Sequence, residues 1–272
     1  MDDPDLKVLF AILLVALAAG AAWYFRDELL PQEKAPIAAG PDATPAAAAA
    51  DTGPRHPVAP YQASRDRSVD LTPLPPLDDS DSYFLLALVD IFGTAIEPFL
   101  VKDAIIDRFV ATVDNLPRDH VAEKVRPVGR LSDAFRADIN SKNGPVYLSP
   151  ENYQRYDRLV SRITSADIDD IVDAYRRFYP LLQQSYERLG YPNAYFNDRV
   201  IEVIDHLLAT PDIEEPIELV RPHVLYEFAD PQLEALSSGQ KLLLRMGSEH
   251  AAVMKRMLRE LRTQLAQQQA LP

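Results

Sequence analysis

The sequence predicts a mostly α-helical fold: a compact multi-helix domain with at most a small β-hairpin, preceded by one transmembrane helix and a disordered Pro/Ala-rich linker. Three observations lead to this prediction. An uncharged apolar run lies near the N-terminus, a proline- and alanine-rich stretch follows it, and apolar residues then recur at helical spacing. The expected organisation is an N-terminal anchor segment (1–26), a tether (27–76), a helical domain (77–265) and a disordered tail (266–272).

The anchor is predicted from 18 consecutive uncharged residues, Val8 to Phe25. At 1.5 Å per residue, a helix of this length just crosses a hydrocarbon core of about 30 Å. The alternative is a cleaved signal peptide, since Ala19-Gly20-Ala21 resembles a cleavage site. The seven residues before the run contain three aspartates and Lys7 as the only basic side chain, whereas a signal peptide begins with positive charge, so an uncleaved anchor is favoured.

The tether is predicted from composition. Residues 27–76 contain ten prolines among many Ala, Asp and Thr residues, and too few large apolar side chains to offset the entropy of ordering. One N-terminal anchor before a large soluble body usually leaves that body outside the cytoplasm. We therefore expect a single-pass membrane protein whose C-terminal domain lies outside the cytoplasm.

The first helices of the domain are predicted from caps and apolar spacing. The acidic stretch 78–81 precedes an apolar run that stops at Gly93. Apolar residues between 105 and 113 recur at spacings of three and four, and Pro117 closes that helix. The Ser-Pro-Glu sequence at 149–151 combines a capping hydroxyl with proline at the first position, which predicts another start.

Three further helices follow. The run from Ser165 to Leu189 contains Pro180, which is expected to kink or split the helix. Asn193 is the predicted cap of the next helix, and the last helix is predicted to begin at Ser248. The apolar stripe of that last helix is predicted to be Val253, Met257, Leu261 and Leu265.

Two stretches are not helical in pattern. Residues 135–139 and 146–148 flank an Asn-Gly pair, which predicts a small hairpin. The runs 217–220 and 224–228 are short, β-branched or aromatic, and broken by Pro222. We expect these runs to add a minor sheet at most.

The composition excludes several classes of protein. The chain has no cysteine, which excludes disulfides, thiolate zinc sites and thiol nucleophiles. A formal net charge of −13 disfavours nucleic acid as a partner, because phosphate contacts need a positive surface. No P-loop, Rossmann fingerprint or GxSxG motif is present, so we expect no cofactor.

Asp198, Glu202 and His206 are spaced by four and share one helical ridge. Two carboxylates and an imidazole can hold a divalent cation, or raise the pKa of the histidine for proton transfer. The alternative is a solvated face with Arg199 as an ion-pair partner, and the absence of any HExxH motif favours it. We therefore name these three residues as weak metal candidates and assign no catalytic residue.

A binding surface is predicted from tyrosines and two basic residues. Seven of the twelve tyrosines lie between positions 153 and 195, where they either line a groove or form the edge of the core. An Arg-Pro-His sequence at 221–223 can present a binding edge to a carboxylate or phosphate. The predicted surface comprises Tyr179, Tyr186, Tyr191, Tyr195, Arg199, Arg221 and His223.

The charge of the domain is uneven. Residues 241–262 carry six basic and two acidic side chains, whereas residues 77–240 carry 16 basic and 29 acidic ones. A basic last helix packed on an acidic body explains this pattern, and it also suits the C-terminal end of the helix dipole. The alternative is a docking surface for an acidic partner or anionic lipid.

Four sequence stretches together resemble a known family. They are VDNLPR (113–118), YRRFYPLLQQSYERLGYP (175–192), NDRVIEVIDHLLATP (197–211) and VRPHVLYEFADPQLEALSSGQKLLLRMG (220–247). Over about residues 77–262, the sequence resembles domain-of-unknown-function family 3014, which is bacterial and mainly proteobacterial. The family's layout is similar: a short anchor, a Pro/Ala-rich tether and then the domain. The resemblance implies no activity, cofactor or catalytic residue.

These observations favour a binding role. With the bacterial source that the resemblance implies, we expect a single-pass protein of the bacterial inner membrane with a periplasmic C-terminal domain. We expect this membrane-anchored envelope protein to carry a tethered binding or scaffold domain for a protein or an envelope polymer, because catalytic motifs are missing. One alternative is an enzyme acting on envelope polymers through carboxylates or His206. Another is a structural assembly factor.

Overall fold

Helices account for most of the chain that the structure describes. The computed structural model describes residues 53–61, 73–127, 135–139, 144–165, 167–223 and 226–266. Its α-helices are α1 (Asp81–Phe92), α2 (Ile105–Asn115), α3 (Glu151–Gln154), α4 (Asp157–Thr164), α5 (Ile168–Arg188), α6 (Phe196–Leu208), α7 (Pro231–Glu234), α8 (Ser238–Arg245) and α9 (Ser248–Ala266). Short 3₁₀ turns lie at Leu77–Asp79, Thr94–Phe99 and Glu123–Val125.

The predicted transmembrane helix lies outside the described residues, as do most of the predicted tether and nearly all of the predicted tail. Within the described ranges, no helix combines the length and apolar character that crossing a bilayer requires. The anchor therefore stays a prediction from the sequence.

The β-structure is larger than the predicted hairpin. Strands β1 (Ala137–Ile139), β2 (Val146–Leu148), β3 (Glu218–Val220) and β4 (Glu227–Phe228) form one antiparallel sheet in that order. The expectation of at most a small hairpin was wrong in this respect, whereas the runs 217–220 and 224–228 do add a minor sheet, as expected, through β3 and β4. Buried residues of β2, β3 and β4 share a second apolar cluster, made of Leu148, Ile217, Leu219, Phe228 and Leu244, and Ala137 of β1 packs against it. Strands of two or three residues are too short to show a period of two.

The main core lies between α1, α2, α5, α6 and α9. Phe84 contacts Phe178 edge to face at a centroid distance of 5.0 Å, and Phe109 meets Phe196 in the same way at 6.1 Å. All four rings are almost fully buried. Such aromatic pairs add stability beyond their buried area. The first pair joins α1 to α5, and the second joins α2 to α6.

Most predicted helix boundaries are confirmed, and three details differ. Gly93 ends α1 with a φ of 74°, and α9 begins at Ser248 as expected. Pro180 does not split α5, which runs without interruption because the residues around it are buried in the core. Asn193 does not cap α6; the Phe196 N–H donates instead to Gln183 Oε1 at 2.8 Å. The buried stripe of α9 is Met254, Leu258, Leu261 and Leu265, so Leu261 and Leu265 are confirmed, whereas the predicted Val253 and Met257 are only partly buried.

The start of α2 is capped from a distance. Ala104 precedes the helix in the left-handed conformation, with a φ of 49°. The two carboxylate oxygens of Asp81 accept the N–H groups of Ala104 and Ile105 at 2.8 and 2.9 Å. The first residue of α1 therefore satisfies orphan donors at the N-terminus of α2.

Replacing Asp81 by alanine should lower the free energy of unfolding by about 1 kcal/mol, because a capping carboxylate contributes this much. Urea denaturation of the two proteins measures the difference. Asp79→Ala is the matched control, since Asp79 is an exposed acid of the preceding 3₁₀ turn. Equal effects of the two substitutions would contradict the capping role.

Candidate functional site

Residues 53–61, called here the docked segment, lie against the first turn of α6. The Asp198 carboxylate accepts the backbone N–H groups of Arg55 and His56 at 3.0 and 2.8 Å. The Asn197 side-chain amide donates to the His56 carbonyl at 2.8 Å, and the Arg55 guanidinium pairs with Glu202. The docked segment belongs to the predicted disordered tether, so at these nine residues the structure differs from that expectation.

Asn197 connects this segment to the rest of the fold. It is fully buried, and its side-chain oxygen accepts the Tyr175 hydroxyl of α5 at 3.0 Å. Its amide nitrogen also lies 3.5 Å from the Leu265 carbonyl near the end of α9. Val58 adds an apolar contact with the main core. The docked segment is therefore held by groups that are themselves fixed by three helices.

The ridge of Asp198, Glu202 and His206 is engaged with protein partners. Asp198 is only 9% exposed and binds backbone N–H groups, so it is not the solvated acid that the sequence suggested. Glu202 lies between Arg55 and Arg199, which matches the predicted ion pairing. His206 Nε2 lies 2.8 Å from Ser237 Oγ. Among the described residues, no group of three or more acidic or histidine side chains has the arrangement of a metal site.

A buried carboxylate that the sequence analysis missed organises the neighbouring polar cluster. Asp114, at 2% exposure, accepts Arg199 Nε at 2.9 Å and Arg118 Nη2 at 3.0 Å. The Tyr191 hydroxyl donates to the same carboxylate at 3.3 Å. Asp114 is four residues after Val110 on the buried face of α2. An acid at a core-facing position is the signal that could have found it.

The tyrosines of the predicted surface mostly form the edge of the core. Tyr186 is buried and stacks on Tyr191 at a centroid distance of 4.7 Å, and burial raises the pKa of Tyr186 well above its usual range. Burial likewise raises the pKa of Tyr179 to about 12, and its hydroxyl donates to Gln183. Tyr195 is half-buried and immediately precedes α6.

The structure places Arg221 and His223 elsewhere. Both are exposed and follow β3, and the Arg221 guanidinium lies 5.4 Å from the centre of the Tyr226 ring. Tyr226 packs on the apolar cluster of the sheet, whereas Tyr179, Tyr186 and Tyr191 belong to the main core. The predicted binding residues are therefore divided between two parts of the domain.

Three of the six basic side chains between residues 241 and 262, those of Lys241, Lys255 and Arg262, pair with acids of the body. Lys255 is almost fully buried and donates to the Thr210 carbonyl and to Asp212, each at 2.6 Å. Arg262 pairs with Asp205 of α6. These contacts match the simpler of the two explanations for the uneven charge, in which α9 packs on acidic partners.

The lowered pKa of His206 predicts how the stability of the protein changes with pH. Burial lowers this pKa below its usual value of 6.5, and the positive charge of Arg199 acts in the same direction. Below pH 6.5 the unfolded state therefore binds more protons than the folded state, so His206 contributes stability at neutral pH that is lost as the pH falls. In urea denaturation at pH 7.5 and 5.5, His206→Gln should lose less stability on acidification than the wild type. His223→Gln, at an exposed histidine, is the control and should keep the wild-type difference.

The fold and the site together define a mostly helical domain with a small antiparallel sheet and a polar surface at the start of α6. Residues 105–262 match the family described as Protein of unknown function (DUF3014), and the chain belongs to that family. The matched region includes Asp114, Asn197 and Asp198, but not the docked segment. No curated protein and no solved structure matches the chain.

Proposed function

We propose that the protein is a single-pass inner-membrane protein whose periplasmic helical domain is a tethered binding or scaffold domain for another protein or an envelope polymer. The observation that carries the proposal is the docked segment itself. The start of α6 holds a non-helical stretch of chain through backbone groups and one arginine. These contacts with peptide backbone support a role of the same surface in recognition.

The placement of the weak metal and acid–base candidates also supports binding over catalysis. General acid–base work needs a group within reach of the substrate and with a pKa suited to the task. Asp198 and Glu202 instead bind the docked segment, and His206 contacts the hydroxyl that caps α8. The polar groups of these three side chains are therefore engaged in contacts within the protein.

The predicted tether confines the domain near the membrane and sets how far from the membrane it reaches. A domain linked to the bilayer is held at a high local concentration near envelope partners, which strengthens weak binding without new contacts. The length of the predicted tether then sets how far from the membrane the domain acts. Both effects depend on the predicted anchor at residues 8–25.

The test is photo-crosslinking in intact cells. A photoreactive residue replaces Leu86 or Ile139, two exposed apolar side chains, in the full chain with a C-terminal reporter for membrane side. We expect a periplasmic reporter and a discrete adduct, with a protein or with envelope polymer. The adduct should fall about tenfold when a cleavable secretion signal replaces residues 8–25, because confinement is lost. A cytoplasmic reporter, or turnover of an envelope polymer by the purified protein, would contradict the proposal.

A further inference from the structure

We infer that Asn197, Asp198 and Glu202 form a peptide-binding site for a bent Arg-x-Pro segment, and that the chain's own Arg55-His56-Pro57 occupies this site in cis. The three side chains are called the peptide site below. The inference rests on the proposed binding role, because it names the ligand class of the same domain. It does not depend on the membrane anchor.

The peptide site binds main-chain groups of two adjacent residues of the docked segment. The chain bends at Arg55 and His56, and this bend turns both N–H groups toward the Asp198 carboxylate. Asn197 then donates to the His56 carbonyl. A helical ligand would use these groups internally, and an extended strand would point successive N–H groups to opposite sides. The peptide site therefore favours a ligand whose backbone bends at these two residues.

Side chains add specificity for arginine and proline. The Arg55 guanidinium pairs with Glu202, and its Nε lies 3.9 Å from Asp198, so both acids of the site face one cation. A forked guanidinium suits two carboxylates better than an ammonium group does. Pro57 has no N–H that would need a partner, and it keeps His56 out of the helical conformation.

The peptide site is held in place without help from the ligand. Tyr175 of α5 donates to the buried Asn197 side chain. Arg199 reaches Glu202 at 3.4 Å, and Asp114 in turn fixes Arg199. A preorganised site loses little entropy on binding. Asn197 and Asp198 lie in the first turn of α6, where backbone N–H groups also favour negative side chains.

The cis ligand is accessible to competition. The Arg55 side chain remains 62% exposed although it is ion-paired, so a second Arg-x-Pro segment can approach the site as Arg55 leaves. Only about eleven residues separate Tyr61 from Pro73, and such a short linker gives an effective concentration in the millimolar range. An external peptide must therefore compete with the docked segment, and weakening that segment should strengthen external binding.

The experiment measures binding of a fluorescent peptide with the sequence of residues 53–61 to the full chain in detergent. Arg55→Ala in the protein should tighten binding of the external peptide about tenfold, because it weakens the cis competitor. Adding Asp198→Asn or Glu202→Gln to the Arg55→Ala protein should weaken binding of the external peptide about tenfold relative to Arg55→Ala alone. Arg136→Ala is the matched control, since Arg136 is also exposed and ion-paired, and it should behave as wild type. A peptide with alanine in place of its arginine should bind about tenfold more weakly.

Equal affinity of the wild type and the Arg55→Ala protein, or no effect of the changes at Asp198 and Glu202, would overturn the inference. Circular dichroism checks the fold of each variant, and if Asp198→Asn unfolds the domain, Glu202→Gln decides the question. Sedimentation identifies the source of a trans ligand. A concentration-dependent dimer that Arg55→Ala abolishes indicates a second copy of this chain, whereas monomers that bind the peptide indicate a segment of another protein. If the peptide does not bind, the crosslinking result above is unaffected. The proposed peptide site can therefore be wrong while the proposed binding role of the domain holds.

Discussion

Replacing Arg199 by alanine is expected to lower the free energy of unfolding by about 3 kcal/mol, because the substitution leaves a buried carboxylate short of a partner. Arg199 donates both to the Asp114 carboxylate and to the Asp114 backbone carbonyl, at 2.9 and 2.8 Å. Burial alone would lower the pKa of Arg199, but neighbouring groups, Asp114 first among them, raise it overall. These two hydrogen bonds join α2 to α6.

Arg118 limits the loss, since it still pairs with Asp114 in the Arg199→Ala protein. The effect should thus lie at the lower end of the range for a broken buried pair. Urea denaturation at pH 7 measures it, with Arg158→Ala as an exposed control that should change stability by less than about 0.5 kcal/mol. A loss below about 1 kcal/mol for Arg199→Ala would show that Arg118 alone satisfies the buried acid.

Gly247→Ala is expected to have a comparable effect, about 3 kcal/mol, for two separate reasons. Gly247 links α8 to α9 with a φ of 85°, which an L-residue rarely adopts. A Cβ at this position would also lie 2.8 Å from Cγ and 2.9 Å from Cδ1 of the Tyr153 ring. Cγ and Cδ1 lie close to the backbone of Tyr153, so these ring atoms cannot move far unless α3 itself shifts.

Gly93→Ala separates the two causes. Gly93 also has a positive φ, 74°, and its ψ of 164° lies in a region that is essentially restricted to glycine, but an added Cβ would meet nothing within 4 Å. Its substitution should therefore carry a backbone cost of about 1–3 kcal/mol with no steric clash added. Thermal and urea denaturation of both variants give the comparison. Equal losses at the two glycines would mean that Tyr153 moves aside without cost.

Much of the helical fold was predictable because its signals are local. The start of α9 after Gly247 and the stop of α1 at Gly93 follow from glycine conformation, and the spacing of apolar residues in α2 follows from helical periodicity. The same local logic failed at α6. Gln183 satisfies the first N–H of that helix from a neighbouring helix, so Asn193 was not needed as a cap.

The site was harder to predict because its contacts join distant parts of the chain. Asp198 and Glu202 were singled out by their spacing, but their partner Arg55 is 147 residues away from Glu202 and lies in a stretch whose composition indicates disorder. Prolines reduce the entropy of the unfolded segment, so a few hydrogen bonds are enough to order it. Composition alone does not report such contacts.

The docked segment is the central claim, and amide hydrogen exchange at Arg55 and His56 in the full chain tests it most directly. Both N–H groups bind the Asp198 carboxylate, so we expect them to exchange more slowly than an unstructured peptide of the same sequence. In the Asp198→Ala protein the two amides should return to the rate of the free peptide while the core amides of α5 stay protected. Free-peptide rates at Arg55 and His56 in the wild-type chain would contradict the account.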